Sequence, residues 1–396
     1  MIHCLILQKD VIDLKHQDLN DLRSRIDSVD DEIIRLFQER MHISSEIAEF
    51  KKDHGLPVQD VQREREKISD LIGKSEEDFK SYTSVLYSLL FELSRSYQDK
   101  ILYPSSDLQN KISAAIDNTS KIFPPCATVA CQGVEGAYSQ HACEKLFHIP
   151  RIMYFNNFAS IFSSIDKGMC DYGVLPIENS TAGSVKQIYD LMMYYNFYIV
   201  RSVRVKVDHN LLAKKGADLA HIKEIYSHEH ALAQCTNYIN SLGNVKVNVV
   251  ENTAIAAKLV ADSDRTDIAA ISSRSCAPLY GLDCLASSIQ DKGNNYTRFI
   301  CISKNLEIYP GADRTSLMMI ISHKPGSLYR VLARFYALGI NLVKLESRPI
   351  PDRDFEFMFY FDLDTPVYSK EFIQLICELD GLCEEFRYLG SYSEMI

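Results

Sequence analysis

The sequence lacks the cysteine spacings on which metal sites and disulfide frameworks depend. Its 11 cysteines are scattered, and no two of them form a Cys-x-x-Cys pair. Because structural zinc sites and disulfide-stabilised secreted domains need close or paired cysteines, we expect neither, and no metal. This usage is typical of proteins in a reducing cytosol.

Long apolar segments and targeting signals are also missing. No apolar run reaches about 18 residues, the length at which a membrane span becomes a candidate. The N-terminal stretch MIHCLILQKDVIDLK contains a short apolar run but no small-residue cleavage site. We therefore expect a soluble, cytoplasmic protein with no membrane partner.

The sequence has fewer basic residues than acidic ones. The 396 residues carry a net charge of −10, which argues against a nucleic-acid partner and restricts any basic site to a local cluster. Apolar residues make up 46% of the chain, which is enough for ordinary globular cores. The length predicts two to four domains at roughly 150 residues each.

Residues 12–104 have the pattern of an all-α domain. Apolar residues recur three and four positions apart over 19–50 with no Gly or Pro between them. With Asp18 as N-cap, this pattern predicts a helix to Lys52 that is about 50 Å long. That length exceeds the width of a small domain, so we expect its apolar stripe to pack on a second copy of the chain. Two further helices are predicted, over 60–72 and 76–102.

Two other patterns follow. Residues 105–125 have the composition of a polar connector that ends in two prolines. Over 126–304, short apolar runs alternate with helical stretches, which predicts an α/β domain. Over 314–393 the order is strand, helix, strand, strand, helix, strand, which predicts an α+β domain of the ferredoxin-like kind.

Polar residues interrupt the apolar stripes of the helical segment. Arg40 occupies a core position of the first stripe, and Ser94 and Gln98 lie four apart on the third helix. A lone arginine at such a position is also compatible with a side chain that extends from a helix edge into water. Buried polar groups are costly unless partnered, and a small anionic ligand would partner several of them at once. Asp60 and Glu64 begin the second helix, where Asp60 is equally a good N-cap.

Together with Lys51 and the stretches LRSRIDSVDDEIIRLFQER and PVQDVQRERE, these residues resemble the all-helical chorismate mutase family. The resemblance implies an intertwined homodimer, or a tetramer formed by two such dimers, in which Arg23 of one copy reaches the site of the other. The residues that it implies for binding chorismate are Arg23, Arg40 and Arg63 at the carboxylates, Lys51 and Gln98 at the ether oxygen, and Asp60, Glu64 and Ser94 around the ring hydroxyl. Lys51, Gln98 and Glu64 are the predicted catalytic residues among them. A Claisen rearrangement needs no nucleophile or base, only a compact conformer and donors placed where charge grows.

The middle segment contains four motifs, each of which is weak alone. They are GVEGAYSQHA over 133–142, GVLPIENSTAGSV over 173–185, YSHEHALAQC over 226–235, and YTRF over 296–299. Glycine-rich loops after strands usually only turn the chain, and a threonine such as Thr297 commonly begins a strand. In this order, however, the four resemble prephenate dehydratase, a fold of two α/β lobes with the site in the cleft between them. The third motif departs from the family, since Glu229 and His230 replace its usual Pro-Gln, although Gln234 is kept.

The resemblance implies specific roles around prephenate. Thr297 is the catalytic threonine, Arg298 binds a substrate carboxylate, and Asn179 and Ser180 line the facing wall. The reaction expels CO2 and a ring hydroxyl as the ring becomes aromatic, so the enzyme must mainly assist departure of hydroxide. A positioned threonine hydroxyl can donate a hydrogen bond or proton there.

The last segment resembles the ACT regulatory domain that follows prephenate dehydratases. Its effector motifs match HKPGSLYRVL over 323–332 and ESRP over 346–349. The effector-binding residues that this implies for phenylalanine are Gly326, Ser327, Leu328, Glu346, Ser347, Arg348 and Pro349. Ser327 is also a fair N-cap for an ordinary helix, whereas amide groups exposed at a helix N-terminus suit an amino acid's carboxylate.

These resemblances predict a bifunctional enzyme of phenylalanine biosynthesis that needs no organic cofactor. Two alternatives belong to other classes of protein. A transcription regulator with a helical dimerisation arm is disfavoured by the acidic balance and by the lack of a helix-turn-helix with clustered Lys or Arg. An amino-acid sensor with a degenerate mutase segment is disfavoured by the complete polar set from Arg23 to Gln98.

Overall fold

The computed structural model describes residues 19–102, 107–351, 353, 356–379 and 383–396, except for the side chain of Asp99. The predicted N-cap Asp18 and the residues before it lie outside these ranges. Contacts divide the chain into two compact units, Met1–Ser106 and Asp107–Ile396. No helix among the described residues is long and apolar enough to cross a membrane.

The first unit is helical, as the spacing of its apolar residues predicts. Its elements are α1 (Leu19–His54), α2 (Val61–Lys74), a 3-10 turn (Glu77–Phe79) and α3 (Lys80–Leu102). Helix α3 packs against both α1 and α2. Asp60 is the N-cap of α2, and its carboxylate accepts a hydrogen bond of 2.9 Å from the backbone N–H of Arg63. The capping alternative for Asp60 is therefore correct.

The apolar stripe of α1 faces solvent in the single chain. Only Ser44 and Ala48 of this helix are buried. The exposed apolar side chains include Leu19, Leu22, Ile26, Val29, Ile33, Leu36, Ile43, Ile47 and Phe50. Among the described residues 19–102 of the unit, none covers this long apolar surface.

The second unit contains three sheets. Its strands are β1 (Cys126–Gln132), β2 (Ile149–Phe155), β3 (Tyr172–Asn179), β4 (Gly183–Ser184), β5 (Tyr198–Lys206), β6 (Asn210–Lys214), β7 (Glu224–Ser227), β8 (Lys246–Val249), β9 (Ile268–Ser272), β10 (Leu282–Ala286), β11 (Tyr296–Ser303), β12 (Arg314–Ile320), β13 (Asn341–Pro349), β14 (Phe357–Asp364), β15 (Glu385–Tyr392) and β16 (Glu394–Met395). Its helices are α4 (Asp107–Asn118), α5 (Tyr138–Leu146), α6 (Phe158–Asp166), α7 (Lys186–Met192), α8 (Glu229–Gln234), α9 (Thr236–Ser241), α10 (Thr253–Asp262), α11 (Cys276–Tyr280), α12 (Ser327–Ala337) and α13 (Lys370–Leu379), with a 3-10 turn at Leu219–His221.

Two of the sheets form two α/β lobes. The first sheet has the order β16-β5-β11-β3-β1-β2, with β4 paired to β3, and the second has the order β10-β6-β9-β7-β8. The chain leaves the first sheet after β5, builds the second sheet, and returns with β11, which runs antiparallel to both β5 and β3. The α/β prediction for this segment is thus confirmed, and the lobes are joined by two connections.

The third sheet has the order β13-β14-β12-β15. With α12 and α13 inserted after its first and third strands, it has the predicted strand and helix order of a ferredoxin-like domain. We refer to β12–β15 with these two helices as the C-terminal domain. The prediction that Ser327 caps α12 is wrong. Gly326 occupies the N-cap position with φ +83°, and the Ser327 side chain is buried instead of capping the helix.

The predicted connector also differs from the structure, because part of it is the helix α4. Ile112 and Ala115 of this helix are buried in the core of the C-terminal domain, together with Phe372 and Ile376 of α13. The sequence of α4 has apolar residues at helical spacing within an otherwise polar stretch. The polar composition outweighs this short pattern, which is why the sequence predicts a connector there.

The C-terminal domain is continuous with the first lobe. Strand β16 adds to the first sheet by pairing parallel with β5. Where β15 crosses β5, Gly390 approaches Ile199 so closely that an added Cβ would lie 2.3 Å from the Ile199 carbonyl oxygen. Residues of both sheets, among them Ile300 and Tyr360, share one apolar core. These contacts make the C-terminal domain an integral part of the second unit.

Candidate active sites

In the first unit, the side chain of Arg40 extends from α1 to α3. Its guanidinium donates to the carbonyl oxygen of Leu90 at 3.0 Å and to the hydroxyl of Ser94. The same group lies over the ring of Phe91, 5.5 Å from its centroid. Burial lowers the pKa of Arg40, but an arginine stays protonated at neutral pH. The structure therefore places a cation beside a buried hydroxyl.

Lys51 and Gln98 form a second pair three helical turns further along α1. The Lys51 ammonium lies 3.3 Å from the Gln98 amide oxygen and donates to the carbonyl oxygen of Val58 at 2.5 Å. Gln98 and Ser94 are both buried. The four residues Arg40, Ser94, Lys51 and Gln98 are therefore brought together as two adjacent pairs of donors.

Glu64 has a partner that the sequence did not reveal. Arg95 binds Glu64 with one guanidinium nitrogen and Glu92 with another, the latter at 2.5 Å. Burial alone would lower the pKa of Arg95, but these two carboxylates outweigh it and raise the value. Arg95 directly follows Ser94, and nothing in the helical spacing marks it as the partner of a residue on α2.

Arg23 and Arg63 are exposed and do not reach this group within the chain. Arg23 is separated from Arg40 by about 25 Å of helix, at 1.5 Å per residue. An arginine side chain is too short to span that distance.

In the second unit, Thr297 and Asn179 face each other on neighbouring strands. They are directly paired in the β3–β11 ladder, and the Asn179 side-chain amide donates to the Thr297 hydroxyl oxygen at 3.0 Å. The Asn179 amide oxygen accepts from the backbone N–H groups of Thr181 and Ala182 at 3.0 and 2.9 Å. These two bonds fix which end of the amide faces Thr297.

Further polar groups join this pair across the two lobes. Gln234, on α8 of the second lobe, donates to the Thr181 hydroxyl at 2.9 Å, and its oxygen accepts from Asn295 at 2.8 Å. His209 lies 2.9 Å from the same oxygen. We call the six residues Asn179, Thr181, His209, Gln234, Asn295 and Thr297 the interlobe cluster.

His209 is enclosed within the interlobe cluster, at 3% exposure. Burial lowers its pKa, against a smaller opposing effect of Gln234, so the ring is neutral at neutral pH. Since Gln234 offers an oxygen, His209 Nε2 donates and Nδ1 carries the lone pair. The sequence does not single out His209, Thr181 and Asn295, because these residues meet Gln234 only in the folded chain.

Ser180 lies at the edge of the interlobe cluster. Its hydroxyl accepts from the backbone N–H of Tyr296 at 2.9 Å and donates to the carbonyl oxygen of Asn294 at 3.0 Å. Ser180 therefore holds the turn that leads into β11.

Arg298 does not lie with Thr297, in contrast to the prediction that both face the substrate. Successive side chains of a strand point to opposite faces. The Arg298 side chain is 4% exposed, and it pairs with Glu178 of β3 at 2.6 Å and with Asp362 of the C-terminal domain. This location is enclosed by protein groups of opposite charge.

Comparisons with known proteins agree with this division of the chain. The family model for prephenate dehydratase matches residues 129–307, and that for chorismate mutase type II matches residues 22–99. The bifunctional chorismate mutase/prephenate dehydratase of Escherichia coli K12 is 30% identical over 380 residues, which cover 94% of this chain and 95% of the relative. The chain belongs to this bifunctional family. The predicted enzyme of phenylalanine biosynthesis, with chorismate mutase and prephenate dehydratase activities, is thereby confirmed.

Two further proteins are similar to this chain. An Arabidopsis thaliana arogenate dehydratase/prephenate dehydratase is 34% identical over 313 residues, covering 76% of this chain and 80% of the relative. A prephenate dehydratase from Arthrobacter aurescens, solved in complex with L-Phe, is 28% identical with a TM-score of 0.63. The match covers 67% of this chain and 90% of the Arthrobacter one.

The predicted effector motifs lie on β13 and at the start of α12. Glu346 accepts from the Ser184 hydroxyl at 2.6 Å, and Arg348 pairs with Asp190 of α7 at 2.6 and 2.9 Å. Ser347 and Pro349 alternate with them and are exposed. At α12, Leu328 packs against the domain core beside Gly326 and Ser327. The glutamate and arginine thus contact the first lobe, while their neighbours remain accessible.

Proposed function

We propose that the first unit holds chorismate between Arg40, which binds a carboxylate, and Lys51 and Gln98, which donate to the ether oxygen. The observation that supports this role is the two adjacent pairs, Arg40 with Ser94 and Lys51 with Gln98, on facing helices. The rearrangement breaks a C–O bond whose oxygen becomes more negative in the transition state. A fixed ammonium and amide at that oxygen stabilise the transition state more than the substrate.

A second copy of the chain completes this site in our proposal. The exposed apolar stripe of α1 provides a surface for dimerisation, and Arg23 is about 25 Å of helix away from Arg40 of its own chain. In a dimer whose α1 helices pack antiparallel, Arg23 of one copy lies at the Arg40 site of the other. Asp60, Glu64 and Arg63 border that site from α2. Association of such dimers into tetramers is compatible with this arrangement.

A complementation experiment tests the shared site. Arg23→Ala and Arg40→Ala should each abolish mutase activity, but their mixed dimer contains one site with both arginines intact. Co-expressed and randomly paired, the two variants should regain about a quarter of wild-type mutase activity, since half of the dimers are mixed and each has one intact site. Arg35→Ala, on the exposed side of α1, serves as the control. No recovery in verified mixed dimers would place Arg23 outside the partner's site.

In the second unit, Thr297 donates to the departing hydroxyl of prephenate. The observation that carries this role is the bond from Asn179 to the Thr297 oxygen, because a hydroxyl that already accepts directs its own hydrogen elsewhere. Gln234 and His209 tie this pair to the second lobe and define the floor of the cleft. Expulsion of CO2 and hydroxide leaves an aromatic ring, which supplies the driving force. Departure of hydroxide is the difficult step, and a positioned hydrogen-bond donor assists it. Ser180 contributes indirectly, by holding the turn before β11. Arg298 also contributes indirectly, by neutralising the carboxylates on the opposite face of that strand.

Thr297→Val tests this role, because it keeps the branched shape and removes only the hydroxyl. We expect kcat for prephenate to fall about 100-fold or more, with mutase activity unchanged. Thr315→Val, on β12 outside the site, is the matched control. A Thr297→Val enzyme with near-normal phenylpyruvate formation would return Thr297 to the role of an ordinary strand residue. Because the Arabidopsis relative is an arogenate dehydratase as well as a prephenate dehydratase, arogenate should be assayed as a second substrate beside prephenate.

Phenylalanine acts as an effector at the C-terminal domain, which we assign to the ACT kind from its strand order. The Arthrobacter relative bound to L-Phe supports this ligand. The binding groups are Gly326, Ser327 and Leu328 together with the ESRP segment of β13. Calorimetric titration of the intact chain should show binding that weakens about 10-fold in Leu328→Ala and is unchanged in Tyr336→Ala, a fully exposed position on the same helix. Equal affinity in all three proteins would contradict the assignment.

A cytoplasmic location is part of this proposal. The cysteines that the structure describes are free thiols, as expected for a reducing compartment.

A further inference from the structure

The β3–β11 ladder has two functional faces. On one face Asn179 is paired with Thr297 and belongs to the interlobe cluster. On the other face the next residue pair, Glu178 and Arg298, points toward the C-terminal domain. The residue proposed to act on prephenate is therefore one peptide away from a residue held by another domain.

Asp362 holds Arg298 from the C-terminal domain. Its side chain is 1% exposed, and one of its oxygens pairs with the Arg298 guanidinium. The other oxygen accepts from the Ser316 hydroxyl at 2.5 Å, and Ser316 in turn contacts the Tyr392 hydroxyl at 2.7 Å. Asp362 is thus fixed on β14 by hydroxyl groups from β12 and β15. It presents a rigid carboxylate to Arg298.

Glu178 is bracketed in a similar way. Lys344 of β13 donates to Glu178 at 2.5 Å and to Ser184 of β4 at 2.8 Å. Burial alone would raise the pKa of Glu178, but the charges of Arg298 and Lys344 outweigh it and lower the value. Two carboxylates and two cations from two domains therefore meet behind the catalytic strand pair.

The backbone at this position is irregular. The register between β11 and β3 shifts between Arg298 and Phe299, which is a β-bulge. Bulges bend a strand locally and re-aim the neighbouring side chains, and they occur often beside active sites. Enclosed ion pairs resist displacement, because separating them leaves an uncompensated buried charge. The position of Arg298 therefore constrains the direction in which Thr297 points.

We propose that Asp362, a residue of the C-terminal domain, is a positioning residue of the dehydratase site. Through Arg298 it fixes the bulged β3–β11 segment that aims the Thr297 hydroxyl at the substrate. This inference rests on the proposed role of Thr297. It makes the C-terminal domain a part of the dehydratase machinery even without an effector.

Asp362→Asn tests the inference, since it keeps the shape and removes the charge that holds Arg298. We expect kcat for prephenate to fall about 10- to 100-fold, as for a small misplacement of a reacting group, with KM within about 3-fold. Mutase activity of the same chain is the internal control. Asp190→Asn is the matched control, because it breaks another arginine pair with the C-terminal domain, Arg348–Asp190, away from β11. Dehydratase rates reduced equally in both variants, or unchanged in Asp362→Asn, would overturn the proposal.

A double-mutant cycle separates positioning from stability. If Asp362 acts through Thr297, adding Asp362→Asn to Thr297→Val should lower the remaining rate less than about 2-fold, because coupled residues are not additive. If the double substitution instead lowers the rate by the product of the two single effects, Asp362 acts independently of Thr297. That outcome would overturn the inference and leave the proposed role of Thr297 unaffected. A near-normal Thr297→Val enzyme would instead refute the proposed role of Thr297, and the inference with it. If Asp362→Asn does not fold, Ser316→Ala loosens the same carboxylate and enters the same cycle.

Discussion

The two units bury different kinds of residue. Among the described residues of the first unit, the buried set consists of Ala48 with the polar Ser44, Glu92, Ser94 and Gln98. In the second unit the enclosed residues are mainly apolar and form extended cores. Ile26 of α1 is 60% exposed, whereas Ile177 of β3 is 0% exposed. The first unit thus buries polar residues and exposes its apolar stripe in the single chain, whereas the second unit buries mainly apolar residues.

This contrast shows where each unit obtains its stability. A helical unit with so little enclosed apolar area gains little from the hydrophobic effect by itself. The second unit buries the apolar faces of its sheets within the chain. Buried ion pairs also connect two of its domains. We therefore expect the stability of the first unit to depend on protein concentration. The stability of the second unit should depend on its internal contacts.

The largest effect is expected for Ile33→Asp on the exposed stripe. Each copy of a dimer would lose the burial of one isoleucine, so association should weaken by about 4 kcal/mol per dimer. Sedimentation velocity and mutase activity across a dilution series would measure this loss. Gln38→Asp, on the opposite side of α1, should change neither. An Ile33→Asp protein with wild-type association would show that the stripe has another use.

A smaller effect is expected inside the second unit for Gly390→Ala. The added methyl group would meet the carbonyl oxygen of Ile199 at 2.3 Å, where β15 crosses β5. The free energy of unfolding should fall by about 3 kcal/mol, with no dependence on protein concentration beyond that of the wild type. Gly216→Ala is the matched control, since Gly216 also has positive φ but no atoms within 4 Å of an added Cβ, and it should cost about 1 kcal/mol. Equal costs, measured by urea unfolding and circular dichroism, would contradict the close approach.

The smallest effect concerns pH and the interlobe cluster. The pKa of His209 is lowered by burial, so below about pH 6.5 the unfolded chain binds a proton that the folded chain resists. The free energy of unfolding of the second unit should therefore decrease as the pH falls below that value and be fully retained above it. His209→Gln should reduce the difference between pH 7.5 and pH 5.5 by about 1 kcal/mol, whereas His221→Gln, at an exposed position, should not. An unchanged pH dependence in His209→Gln would assign the loss to other groups.

The motifs supply most residues of the two proposed sites, but they do not identify every partner of those residues in the folded chain. Asn179, Thr297, Arg40 and Gln98 were all recognisable because each stands in a motif or breaks a periodic stripe. Arg95 and His209 were not, since neither interrupts a pattern and each meets its partner only after folding. The resemblance implies that Arg298 binds a substrate carboxylate, whereas the structure pairs it with Glu178 and Asp362. Its motif places it beside Thr297, but the pleat of β11 sends the two side chains to opposite faces.

The sequence by itself determined most of the elements and their order. Helical spacing defined α1 to α3, alternating runs defined the lobes, and the last segment had the order of a ferredoxin-like domain, because these signals depend on neighbours within a few residues. Only the tertiary structure decided that α4 belongs to the core, that β16 joins the first sheet, and that Asp362 reaches Arg298. Such contacts join residues far apart in the chain, and their energy comes from burial and charge pairing that no local spacing records.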